Sequence, residues 1–248
     1  MKEPLRRILL IVCVLVFVVC AGLIIRTLVE YAQADKIYEK SREELFAVVE
    51  ADVESAAFPV EVDFDSLLAI NPDIVGWIWL PDTTISYPLL LSKDNQDYLR
   101  HTYEGTANRA GSIFIDYRNQ GDLSDRNTVI YGHNMKNDAM FSSLSNFLEA
   151  DFFAANPYFY ILTPQAVYQY QILSAYQSDT NATAYTWQFA DDAAFATFVE
   201  EILTASAVQP PLAAAEIGSD AKIVTLSTCT NTGYTKRYLV HGLLVEQK

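Results

Sequence analysis

Residues Ile8 to Ile25 form an unbroken run of 18 uncharged, almost wholly apolar residues, and Leu28 and Val29 extend it past Arg26. As a helix rising about 1.5 Å per residue, this stretch covers roughly 27–33 Å, close to the hydrocarbon thickness of a bilayer. Lys2, Arg6 and Arg7 precede it, whereas Glu30 and Asp35 follow. The bias of basic residues toward the cytoplasmic side predicts a short cytoplasmic tail, a single-pass anchor over residues 8–29, and an extracellular remainder. A cleaved signal peptide is the alternative, but its apolar core is normally about 7–15 residues and ends at a small-residue cleavage site. Cys20-Ala21 resembles a lipoprotein site only faintly, because the bulky Val19 stands where a small residue is required.

The anchor changes how the composition reads. Four of the 17 basic residues and one of the 31 acidic residues precede residue 30, which leaves 13 and 30 in the exported part, a net charge of −17. So acidic a surface argues against nucleic-acid binding, which needs clustered Lys and Arg. Cys13 and Cys20 lie inside the apolar run, so Cys229 is the one exported cysteine and has no intramolecular disulfide partner. Neither a CxxC nor an HExxH pattern occurs, and no metal or other cofactor is expected. A lone exported thiol is either a small buried hydrophobe or a group kept for chemistry, and composition does not choose between them.

The exported chain divides by periodicity. Residues 30–56 read as a juxtamembrane helix with Ile37, Tyr38, Leu45, Phe46, Val48 and Val49 available for packing, and Pro59 breaks it. Asp63 caps a short helix reaching Ile70. Strands are predicted at Val75–Leu80, Ile85–Leu90, Ser112–Asp116, Thr128–Gly132, Tyr158–Thr163, Ala166–Gln177, Lys222–Thr228 and Lys236–Glu246. A short helix after Ser92 carries Tyr98 and Leu99, and Ala139–Leu148 reads as another helix. Asp191–Ala205 places Phe195, Phe198, Val199, Ile202 and Leu203 on one helical face, inserted between strands. Eight strands with peripheral helices predict a mainly β barrel or sandwich. Asn181-Ala182-Thr183 fits the glycosylation tripeptide, a pattern too common to carry weight.

Cys229 closes the apolar run from Ile223, where a strand end holds a thiol rigidly while leaving it partly open. Antiparallel pairing with the next strand brings Arg237 to the same edge, where a guanidinium can meet a developing oxyanion or a substrate carbonyl. An ordinary surface cation is the alternative for Arg237. Among the histidines, His101 lies in a polar segment, and His241 sits inside an apolar strand as a packed core residue. His133 ends the strand Thr128–Gly132 beside a glycine, a position suited to proton transfer.

Thr225-Leu226-Ser227-Thr228-Cys229 with Arg237, and Tyr131-Gly132-His133-Asn134-Met135 upstream, resemble the signatures of sortases, the membrane-anchored cysteine transpeptidases of Gram-positive bacteria. Class B blocks are similar to Asn71–Ile78, Tyr87-Pro88, Lys93-Asp94-Asn95 with Tyr98-Leu99, and Gly111–Arg118. The N-terminal helices and the helix inserted before the cysteine strand also match that class. The resemblance implies an eight-stranded sortase β-barrel over residues 71–248, preceded by a juxtamembrane helical region at 30–70.

It further implies that Cys229 attacks the Thr carbonyl of a C-terminal sorting signal, of an Asn-Pro-x-Thr type, on an exported protein. An amine of a peptidoglycan precursor or a pilin then resolves the thioacyl enzyme. An unperturbed thiol of pKa about 8.5 is only about 3% ionised at pH 7, so Arg237 and a protonated His133 would favour the thiolate. His133 would exchange protons with the two amines, and Arg237 would steady the oxyanion. Asn95 and Leu99 match substrate-groove positions of the class, Tyr131 and Ser227 match positions lining the catalytic cleft, and Tyr185 corresponds to an aromatic residue before the inserted helix. Core packing is the alternative for each of these five. Some class members carry an acidic residue after the cysteine, whereas Thr230-Asn231 follows here. Two other readings use the same residues differently: an envelope cysteine peptidase passing the acyl group to water, and a non-catalytic assembly module with a structural Cys229.

Overall fold

The structure, a computed structural model, describes residues 3–48, 60–180, 182–230 and 233–248. Its first element is a single 43-residue helix, α1 (Glu3–Leu45). In its apolar half the large side chains from Ile8 to Val29 are exposed, and this part of the helix is long and apolar enough to cross a membrane. The C-terminal half docks on the rest of the protein through Ala34, Tyr38, Ser41 and Leu45. Spaced by three or four, these residues fall on one face of the helix. Tyr38 is 3% exposed, and its hydroxyl donates to the Gly111 carbonyl at 2.5 Å.

The expected helix over 30–56 is shorter than its composition predicts. It stops at Leu45, and the next three residues form β1 (Phe46–Val48), which pairs antiparallel with β2 (Val60–Val62). Phe46 is the reason: its ring stacks on Trp77 at 5.2 Å, and that contact with the barrel outweighs continued helix. Pro59 and residues 49–56 of the expected helix lie outside the described residues. Asp63 caps α2 (Phe64–Ile70) as expected, its carboxylate accepting from the Ser66 amide at 3.0 Å.

Eight strands then close a barrel: β3 (Ile74–Trp79), β4 (Ser86–Leu91), β5 (Ile113–Ile115), β6 (Asn127–Tyr131), β7 (Tyr158–Leu162), β8 (Val167–Asp179), β9 (Ile223–Thr230) and β10 (Gly233–Gln247). Their order around the barrel is β10-β8-β7-β3-β4-β5-β6-β9. All eight strands were expected from the sequence, each with shifts of a few residues at its ends. The pairs β4–β5 and β6–β9 are parallel and the others antiparallel. Trp77, Ile78, Leu89, Ile113, Ile130, Ile161 and Leu226 are buried in the barrel core.

Two helical expectations change. The segment predicted as a helix at Ala139–Leu148 is a 3-10 helix over Ser142–Leu148, followed by α3 (Ala150–Ala155). Tyr98 and Leu99 lie on a 3-10 turn, Asp97–Leu99, and the capping carboxylate is Asp94, which accepts from the amides of Gln96 and Asp97. Ser92 instead bonds the Asp94 carbonyl. The inserted helix is α4 (Asp192–Thr204), capped by Asp191, and its expected apolar face packs Phe195, Phe198, Val199 and Ile202 into a second core against β8–β10. Asn181 of the glycosylation tripeptide lies outside the described residues.

Candidate active site

Strand register assembles the site. Parallel pairing of β6 with β9 sets Tyr131 opposite Ser227, and the Gly132 amide donates to the Ser227 carbonyl at 3.2 Å. Two residues further on each chain come His133 and Cys229. Antiparallel pairing of β9 with β10 sets Arg237 opposite Cys229. Three neighbouring strand ends therefore present a histidine, a cysteine and an arginine on one rim of the barrel. Gly132 is required there, because a Cβ would sit 2.8 Å from the Phe141 ring and against Ile113.

His133 is half-buried, and its Nε2 lies 2.8 Å from the Leu99 carbonyl. A carbonyl only accepts, so Nε2 carries the proton and Nδ1 is the basic nitrogen of the neutral ring. Burial, followed by the charges of Arg100, Arg109 and Arg237, holds the His133 pKa below its ordinary value despite the Leu99 bond. Burial and these guanidinium charges oppose protonation of the ring, a tertiary effect that the sequence alone does not reveal. Asn134 ties the histidine loop to the cysteine strand, its side-chain amide donating to the Cys229 carbonyl at 2.8 Å.

Two cavities flank this rim. The larger, about 1320 Å³, takes in Leu99, His133, Asn134 and Cys229. The smaller, about 700 Å³, takes in Arg118, Tyr131, Tyr185, Trp187 and Arg237. Leu99, Tyr131 and Tyr185 thus lie on cavity walls. Ser227 stands behind the second wall, its Oγ 2.9 Å from the Tyr185 hydroxyl. Asn95 lines neither cavity; its amide donates to Asp116 at 3.0 Å and its carbonyl accepts from the Tyr117 amide.

Asp116 is the residue that motif reading passed over. At 1% exposure it accepts from Arg118 through Nε and Nη2, each at 2.8 Å, from the Tyr131 hydroxyl at 2.9 Å, and from Asn95. Burial pushes its pKa up, but the Arg118 bonds, aided by Tyr131 and Asn95, outweigh that and leave the carboxyl below its ordinary value. The available signal was a lone acid directly after the apolar run Ile113–Ile115, with an arginine two residues on. Asn127, also missed, is fully buried and donates to the carbonyls of Ala184 and Thr186, which holds the turn carrying Tyr185. His241 is a core histidine, as expected: wholly buried and bonded to Thr225 and Tyr176, each at 3.0 Å. His101 is on the surface, paired with Asp97 at 2.7 Å. Among the described residues no cluster of His, Cys, Asp or Glu is arranged to hold a metal.

A closed eight-stranded barrel with a cysteine, a histidine and an arginine on its rim defines a class of cysteine transpeptidase. The sortase domain model matches residues 78–245, and the chain belongs to the sortase family. Within that family it falls in class B. Sortase B of Listeria monocytogenes is 37% identical over 188 residues, covering 75% of both chains. Sortase B of Staphylococcus aureus is 31% identical over 242 residues, covering 97% of this chain and 95% of that one. A solved S. aureus sortase B–substrate complex superposes with a TM-score of 0.73 at 30% identity, covering 88% of this chain and 99% of the other. Sortases act on proteins bearing sorting signals and pass them to amine acceptors.

Proposed function

We propose that this class B sortase cleaves an Asn-Pro-x-Thr type signal after its Thr, with Cys229 as nucleophile, His133 as proton carrier and Arg237 as oxyanion and carbonyl ligand. The observation that supports the reading is the double register: β6–β9 pairing sets Tyr131 opposite Ser227, each two residues before His133 and Cys229, and β9–β10 pairing sets Arg237 opposite Cys229. In the acylation step the thiol proton passes to Nδ1 of the neutral His133 while sulfur attacks the Thr carbonyl carbon. The imidazolium so formed protonates the departing amine. Arg237 meets the negative charge on the carbonyl oxygen. An amine then attacks the thioacyl carbon, His133 takes its proton, and Cys229 leaves.

Leu99, Tyr131 and Tyr185 contact the signal peptide from the cavity walls. Asn95 and Ser227 act from behind, by holding Asp116 and Tyr185. The apolar half of α1 anchors the enzyme in the membrane with its N-terminus in the cytoplasm, which places the barrel on the side of exported substrates and of the cell-wall or pilin amine. The exposure of the large apolar side chains between Ile8 and Val29, with basic residues ahead of them, supports this placement.

The full chain in detergent, incubated with Asn-Pro-x-Thr and Leu-Pro-x-Thr-Gly peptides with and without an amine, tests the reading by mass spectrometry. Cleavage after Thr of the first peptide, with an amide product when amine is present, is expected. Cleavage of neither peptide overturns the substrate assignment, and acid product alone in the presence of amine marks a hydrolase.

A further inference from the structure

One polar side chain from each of four adjacent strands joins a buried belt on the barrel face beneath α4. The strands β8, β10, β9 and β6 are neighbours in the closed sheet, and they supply Tyr176, His241, Thr225 and Asn127 in that order. Asn127, Thr225 and His241 are wholly buried, and Tyr176 is nearly so. Phe198 of α4 lies edge-on to the His241 ring, with centroids 6.3 Å apart. None of the four lines either cavity, and the reaction described above uses none of them.

Bond direction along the belt follows from the groups that can only accept. Asn127 gives both Nδ2 protons to carbonyls, of Ala184 at 3.0 Å and of Thr186 at 2.8 Å, so its Oδ1 faces the other way as an acceptor. Thr225 Oγ1 donates its single proton to that Oδ1 at 2.7 Å. The same Oγ1 lies 3.0 Å from His241 Nδ1 and, with its proton already committed, accepts there. Nδ1 therefore carries the ring proton, and Nε2 accepts from the Tyr176 hydroxyl at 3.0 Å. Burial lowers the His241 pKa to about 3, which keeps the ring in this one-proton form. All the bonds run one way, from Tyr176 to the carbonyls of Ala184 and Thr186.

Those two carbonyls flank Tyr185, whose hydroxyl lies 2.9 Å from Ser227 Oγ. Tyr185 is thus held at the backbone on both sides and at its tip, and with Thr186 and Trp187 it forms part of the smaller cavity's wall. Resting on the reading that Tyr185 contacts the signal peptide, we propose that Asn127, Thr225 and His241 are positioning residues for substrate selection. The belt holds the Asn127 carboxamide in the orientation that presents both N–H groups to the turn, and so sets the wall that the peptide meets. A flipped carboxamide would turn an oxygen toward two carbonyl oxygens, and the turn would lose both anchors.

Nitrogen NMR of the full chain in detergent, with isotope-labelled histidine, reads the bond direction without any substitution. A protonated Nδ1 and a bare Nε2 are expected at His241, and the opposite tautomer overturns the proposal. Thr225→Val removes the hydroxyl at nearly constant volume. It is expected to raise the KM for an Asn-Pro-x-Thr peptide at least fivefold with kcat within threefold. Exchange of the Tyr185 and Thr186 amides, which bond within the turn to the Ala182 and Thr183 carbonyls, should quicken at least tenfold relative to amides of β7. Thr225→Ser, which keeps the hydroxyl, should bring both readouts back to within twofold. An unchanged KM with unchanged exchange in Thr225→Val, an equal rise of exchange in β7, or Thr225→Ser no better than valine overturns the proposal. The tautomer decides the matter if Thr225→Val does not fold. An unchanged peptide KM in Tyr185→Ala would instead defeat the reading of Tyr185 as a signal contact, and turn exchange in Thr225→Val would still decide whether the belt holds the turn.

Discussion

The side-chain amide of Asn134 donates to the backbone carbonyl of Cys229 at 2.8 Å, locking the loop that carries the histidine to the strand that carries the thiol. One hydrogen bond thereby ties together the proposed proton carrier and nucleophile, His133 and Cys229, which lie 96 residues apart in sequence. A misplacement of about 1 Å at such a pair costs on the order of 100-fold in rate.

Asn134→Ala is therefore expected to lower kcat for peptide cleavage at least tenfold while lowering stability by only about 1 kcal/mol. Asn134→Asp, which sets a carboxylate against a carbonyl, is expected to be worse than alanine in both respects. Steady-state kinetics alongside thermal denaturation separates the two effects.

Asp116 predicts a larger structural penalty. Its removal leaves the Arg118 guanidinium, the Tyr131 hydroxyl and the Asn95 amide without their shared acceptor. Asp116→Ala is expected to cost about 3–5 kcal/mol, the range for breaking a buried ion pair. Asp116→Asn keeps the shape and part of the bonding, and should fold with a raised peptide KM and a smaller change in kcat. Equal KM in Asp116→Asn and the unsubstituted enzyme would show that the network does not position the cleft.

Acid should both unfold and inactivate the enzyme. Burial lowers the His241 pKa to about 3 from the ordinary 6.5. A histidine whose native pKa is depressed binds its proton more readily when unfolded, so stability is full above about pH 6.5 and falls as the pH drops toward 3. The slope is about 1.4 kcal/mol per pH unit for one such group. His133 is shifted in the same direction and adds to the slope just below pH 6.5. Urea titrations at pH 7.5, 6 and 5 measure it, and His241→Gln should flatten the curve. If His133 accepts the proton as proposed, transpeptidation should show an acid limb below the ordinary histidine pKa of about 6.5.

Tyr38→Phe tests the docking of α1. The hydroxyl that reaches the Gly111 carbonyl is fully enclosed, and its loss leaves a buried carbonyl without that donor. A loss of about 1–3 kcal/mol is expected, together with faster amide exchange across the helix between residues 34 and 45. The glycine cannot adapt, since its φ of +60° and a Tyr98 carbonyl 2.5 Å from the position of any Cβ leave no room.

Much of this protein was legible in its residues because the signals are local. An uninterrupted apolar run announced one long helix apolar enough to cross a membrane, alternation and turn residues marked eight strands, and Asp63 and Asp191 announced two helix starts. Even the Cys229–Arg237 pairing followed, since a short hairpin leaves few registers. What only the tertiary structure decided depends on partners distant in sequence. Helix gave way to strand at Phe46 because Trp77 stacks on it. Asp116 became the hub of the cleft because the barrel encloses it with Arg118, Tyr131 and Asn95. The downward shift of the His133 pKa comes from desolvation first, with the arginines at positions 100, 109 and 237 adding to it. A sequence pattern specifies which groups are present and which face they share, but burial and field strength are sums over neighbours that exist only once the barrel has closed.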